Sequence, residues 1–96
     1  MKPSEALRSH CDAIRGVVEA HRALNARVFG SVLHGRDTDG SDLDLLVDPT
    51  PETTLFDISA IRLELRQLLG VPVNVLIPNA LQDKYRAAVL AEARLV

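Results

Sequence analysis

Asp42 and Asp44, two acids one residue apart, are the side chains whose types and spacing most directly suggest chemistry. Residues two apart on a strand point to one face, so the carboxylates would lie side by side, roughly 7 Å apart at the backbone. Anions so placed repel each other unless a cation sits between them. A hard cation with oxygen ligands suits the pair, and Mg²⁺ in particular is held by one or two carboxylates together with substrate phosphates and water. Upstream, Gly30-Ser31 supplies the complement. Glycine lets the backbone approach a ligand closely, and the serine N–H and hydroxyl can donate to phosphate oxygens. A helical turn starting at residue 32 would add the favourable field of its N-terminus. Phosphate on one side and metal on the other define a nucleotide site. Its chemistry is in-line attack on a phosphoryl group, with metal ions neutralising the charge.

Each of these residues also has a plainer reading. Asp42 and Asp44 follow Gly40-Ser41 and, standing alone, would be solvent-facing turn acids; their coupling to Gly30-Ser31 favours the site. Ser31 can cap a helical turn, a role compatible with phosphate contact. Asp37 and Asp39 read as ordinary, exposed turn formers. His10, His21 and His34 show no metal-ligand spacing, so no zinc site is expected. Tyr85 fits a half-buried amphipathic position, and Cys11 a small buried thiol on the apolar side of a helix. The Gly-x-x-x-x-Gly-Lys pattern of phosphate-loop ATPases is absent.

The elements that must position these groups follow from hydrophobic periodicity. Leu7, Cys11, Ile14, Val18 and Leu24 recur at helical spacing behind a Ser4 N-cap, predicting one amphipathic helix over 4–24. Asn25 interrupts it, Arg27-Val28-Phe29 is a short strand, and Val32 to Ser41 is a loop or broken helical turn. Asp42 to Asp48 is a strand apolar on both faces beyond Asp44, as an interior strand requires. Thr54 with Asp57 opens a capped helix whose stripe is Leu55, Ile58, Ile61, Leu65 and Leu68, and Gly70 stops it. Val71 to Ile77 is another strand. Asn79 then caps a last helix with Leu81, Tyr85, Ala88, Val89 and Leu95 inward. The sum is an α/β (α+β) fold, a small mixed sheet of about three strands flanked by helices.

Length and composition set the bounds. The 96 residues support one domain, 1–96, and a charged fraction of 25% with 47% apolar residues fits an ordinary packed core. Only Phe29, Phe56 and Tyr85 are aromatic, so base-stacking platforms are missing, and a net charge of -2 gives no bulk attraction to nucleic acid. A polynucleotide substrate is therefore disfavoured. One cysteine, no signal peptide and no membrane-spanning apolar run point to the cytoplasm.

Gly30-Ser31, ten residues and then Asp42-x-Asp44 resembles the signature of the DNA polymerase beta-like nucleotidyltransferases. The flanks agree too, in Val28-Phe29-Gly30-Ser31 and Ser41-Asp42-Leu43-Asp44-Leu45-Leu46-Val47. By average usage the four fixed positions arise by chance in about one chain of this length in a thousand. The resemblance spans about Arg27 to Ile77, and the short chain is similar to the minimal members encoded beside a HEPN-domain partner. It implies the polymerase beta-like core and a Mg²⁺-dependent antitoxin. That antitoxin would move AMP from ATP, or use another nucleoside triphosphate, to modify a tyrosine of a HEPN toxin. Asp42 and Asp44 would hold the metals, and Gly30 and Ser31 the triphosphate.

The sequence departs from that pattern at two places. The family's third carboxylate falls on a later strand, and the matching strand here, Val71-Pro72-Val73-Asn74-Val75, carries Asn74. An amide oxygen ligates weakly and cannot serve as a general base. An engineered inactive variant, a natural antitoxin acting by binding alone, and an enzyme tolerating the amide all fit. Many minimal members carry Arg where this chain has His34, and Arg36 can supply the lost charge to a phosphate. Transfer to a small molecule is disfavoured by the lack of a substrate domain. Homomeric and partner-bound assembly both stay open.

Overall fold

The strands around the two aspartates fix the architecture, and a computed structural model describes residues 1–96. In chain order the elements are α1 (Pro3–Ser9), α2 (Cys11–Ala20), β1 (Ala23–Phe29), β2 (Leu43–Pro49), α3 (Leu55–Leu69), β3 (Val73–Leu76), a 3₁₀ turn (Pro78–Ala80), α4 (Asp83–Glu92) and β4 (Arg94–Leu95). The sheet order is β3-β2-β1-β4. β2 and β3 are parallel, whereas β1 is antiparallel to both β2 and β4. The mixed α+β class is as expected, but the strands number four. β4, two residues long, is too short to leave a period-2 pattern.

β2 is the keystone. Leu43, Leu45 and Val47 are fully buried with Ile14 and Val18 of α2, Ile61 and Leu65 of α3, and Val73 of β3. Leu46 is equally buried but points to the opposite face, the one that carries Asp44 and Asp48. Burying each such side chain contributes roughly 2 kcal/mol. A one-residue slip of β2 would expose Leu43, Leu45 and Val47 and turn Asp44 into the core, so hydrophobic burial locks the register that presents the acid.

α3 begins as the capping pair predicts. Asp57 N–H donates to Thr54 Oγ1 at 3.2 Å, and Thr54 N–H to Asp57 Oδ2 at 2.9 Å. It stops at Gly70, whose φ is 70°. Its buried stripe runs through Ile61, Leu65 and Leu69; the expected Leu55 and Leu68 are exposed, because the helix is rotated to bring Leu69 onto the sheet.

Three expectations are corrected. The predicted helix over 4–24 is two helices broken at His10 (φ −131°, ψ 24°), and Leu24 belongs to β1. Ala6, Ile14 and Val18 all meet the one core, so apolar spacing runs through the break unmarked by Gly or Pro. Ser4 lies inside α1, after Lys2 and Pro3, rather than capping it. Asn79 falls in the 3₁₀ turn and Gln82 is the N-cap of α4, a helix with no buried residue; Tyr85 on it is 53% exposed. No helix is long and apolar enough to cross a membrane.

Candidate active site

Three strands converge on Asp44. It stands opposite Asn74 in the parallel β2–β3 register and opposite Phe29 in the antiparallel β1–β2 register. The residue after Phe29 is Gly30, with φ 73°, and a Cβ placed there would run into Asp44 Oδ2. Only glycine admits both that backbone conformation and the close carboxylate. Asp42 precedes β2 and is exposed, while Asp44 is half-buried.

Asn74 ties the two acids together. Its Nδ2 donates to Asp42 Oδ2 and to Asp44 Oδ1, each at 3.0 Å. A neutral amide donating to each carboxylate relieves their repulsion without adding charge. Turned about its last torsion, the amide would present Oδ1 instead and join the two carboxylates in an all-oxygen donor set, the chemistry that hard divalent cations take.

Gly30, against Asp44, opens the turn after β1. His34 N–H donates to Gly30 O at 3.2 Å, Gly35 N–H to Val32 O at 3.2 Å and Arg36 N–H to Ser31 O at 2.8 Å. This is a single helical turn that does not continue. The N–H groups of Ser31, Val32 and Leu33 have no partner within the chain, like the first donors of a helix. Arg36 is exposed beside this turn. His34 is drawn away to α4, with Nε2 3.1 Å from Glu92 Oε2. None of the cavities is lined by Asp42, Asp44 or Asn74, so the site is an open surface.

The model of the nucleotidyltransferase domain family matches residues 11–96, which include every group just described. The chain belongs to this family. A provisionally named protein adenylyltransferase of Methanocaldococcus jannaschii is 32% identical over 73 residues, 76% of this chain and 78% of that protein. A solved structure described as a minimal nucleotidyltransferase shares 39% identity and superposes with a TM-score of 0.87, covering 97% of this chain and 95% of that one. A toxin–antitoxin structure with AMP-PNP has the same fold, with TM-score 0.70 and 13% identity over 97% of this chain and 71% of that one.

Some side chains of this nucleotidyltransferase differ from their sequence-based expectation. Asp37 is buried, not an exposed turn former; its Oδ2 accepts Ser4 N–H at 2.9 Å, which holds its carboxyl below the usual carboxylate range. Cys11 is half-buried, its Sγ donating to Leu7 O at 3.0 Å. Asp48 shares the face of Asp44 but is paired with Arg27 and takes Asn25 Nδ2 at 2.8 Å. Nothing local in the sequence announces the Asp37–Ser4 bond, since the partners are 33 residues apart.

Proposed function

We propose that this nucleotidyltransferase is an antitoxin that transfers AMP from ATP to a tyrosine of a partner HEPN toxin, residues 1–96 forming one minimal domain. The observation that carries the reading is the placement of Asp44 against Gly30, with Asp42 joined to Asp44 through Asn74, at the start of a turn whose Ser31, Val32 and Leu33 N–H groups have no partner within the chain. The 32% identity to a provisionally named protein adenylyltransferase supports a protein acceptor. The fold shared with a toxin–antitoxin assembly agrees with a toxin partner. An open site also suits a large acceptor that completes the enclosure itself.

In this reading Ser31 and the adjoining N–H groups hold the triphosphate, Gly30 gives it room, and Arg36 adds charge from the rim. Asp42 and Asp44 hold Mg²⁺, which neutralises phosphate charge when bound. The acceptor oxygen bonds to the α-phosphorus, the bond to pyrophosphate breaks, and the hydroxyl proton passes to solvent at the exposed Asp42 edge. Asn74 orients the two carboxylates and takes no proton.

A second reading, neutralisation by binding alone, is favoured by the Asn74 amide, which fills the third-carboxylate position with a hydrogen-bond donor. The two separate in one experiment: incubation of α-labelled ATP, Mg²⁺ and the partner toxin with this chain, with Asn74→Asp and with Asp42→Ala/Asp44→Ala. Label on the partner that disappears with the double alanine variant supports the enzyme. A tight complex with no label from any form supports binding alone.

A further inference from the structure

The connection between Gly30 and Asp42 consists of two closed turns. The first, Gly30 to Arg36, is held by the three backbone bonds described above. In the second, Ser41 N–H donates to Thr38 O at 3.0 Å and Thr38 N–H to Ser41 Oγ at 2.9 Å. The first presents the free donors of Ser31, Val32 and Leu33, and the second delivers Asp42. Asp37 is the single residue between them.

Asp37 is also where the connection is fastened to the body of the protein. The 2.9 Å bond from Ser4 N–H reaches its carboxylate from the first turn of α1, and only 8% of Asp37 is exposed. α1 is itself anchored, with Pro3 and Ala6 buried and contacts to β2 and α2. The neighbouring Met1 amine to Asp39 pair, 3.4 Å apart, is largely exposed and so adds little. α1 precedes residues 11–96, the part that matches the family. The fastening is therefore made by an element outside the matched region.

We propose that Asp37 is a positioning residue for nucleotide binding, holding the phosphate-facing turn and the Asp42-bearing turn in fixed relation by anchoring their junction to α1. The proposal rests on the reading of Gly30 to Asp44 as the nucleotide site. Freed from Ser4, the two turns move independently, and the ligand must order them when it binds.

Calorimetric titration of the full chain with Mg²⁺-ATP tests this, using Asp37→Ala, Asp37→Asn and the core truncation Val18→Ala as a stability control. Asp37→Ala should weaken binding roughly tenfold, the weight of one hydrogen bond to a charged group. Asp37→Asn retains an oxygen for Ser4 N–H and should recover most of that loss. Val18→Ala should lower the thermal midpoint while leaving affinity unchanged. Wild-type affinity in Asp37→Ala, or an equal loss in Val18→Ala, would overturn the positioning role alone. A wild-type chain that binds no ATP would remove the nucleotide-site reading and this proposal with it.

Discussion

Asn74 Nδ2 donates to Asp44 Oδ1 across 3.0 Å, and the two residues are direct neighbours in the parallel β2–β3 register. The same nitrogen reaches Asp42 Oδ2 at 3.0 Å. The amide therefore acts as a neutral clasp on two anions. Asn74→Asp would place a third anion there, and three carboxylates so close need a cation. In EDTA its thermal midpoint should fall by about 5 °C relative to wild type, and Mg²⁺ should restore it. An Asn74→Asp midpoint indifferent to EDTA would show that the three side chains do not share a site.

Gly30 and Gly35 separate two effects of glycine. Both have positive φ, 73° and 68°, but only at Gly30 would a Cβ strike Asp44 Oδ2; nothing lies within 4 Å of one at Gly35. Gly35→Ala should cost only backbone strain, about 1 kcal/mol. Gly30→Ala should cost more, about 2–3 kcal/mol, and displace Asp44. Urea unfolding of both variants gives the comparison, and equal losses would mean that the Gly30–Asp44 approach is not tight.

How far the sequence was legible differs between the site and its supports. Gly30, Ser31, Asp42 and Asp44 sit at fixed short spacing on strongly patterned strands, so their grouping could be read directly. Asn74 joins them through β2–β3 pairing, which the strand pattern located without showing that its amide bridges both acids. The break at His10 was hidden because α1 and α2 bury Ala6, Ile14 and Val18 in the same core. β1 begins at Ala23, before the strand pattern shows, because a register shift between Leu24 and Arg27, with Asn25 at φ 55°, changes its phase. The burial of Asp37 leaves no mark in the sequence, because its partner Ser4 is brought to it only by tertiary structure.

Acid sensitivity should come from the α3 cap. The Thr54 N–H, then the Arg22 guanidinium and nearby His21, hold the Asp57 carboxyl below its ordinary value. A depressed folded-state pKa stabilises the fold above the unfolded-chain value near pH 4, and that contribution is lost as pH falls toward the lower folded value. Thermal midpoints of wild type should therefore drop below about pH 4, and Asp57→Asn should show a shallower drop from a lower plateau. Parallel wild-type and Asp57→Asn profiles would rule out this source.

Asp48 lies on the face of Asp44 but is occupied by Arg27 and Asn25. Asp48→Asn should lower stability by about 1 kcal/mol in denaturant titration and leave Mg²⁺-ATP affinity at the wild-type value. A loss of affinity without loss of stability would instead add Asp48 to the proposed metal site.

A metal–nucleotide site formed by Asp42 and Asp44 with the Gly30–Ser31 turn is tested by titrating ATP into wild type and Asp42→Ala/Asp44→Ala, with and without Mg²⁺. Wild type should bind more tightly with Mg²⁺, and the double variant should lose that Mg²⁺-dependent gain while remaining folded. Equal Mg²⁺-dependent binding by both proteins would instead place the nucleotide elsewhere on the fold.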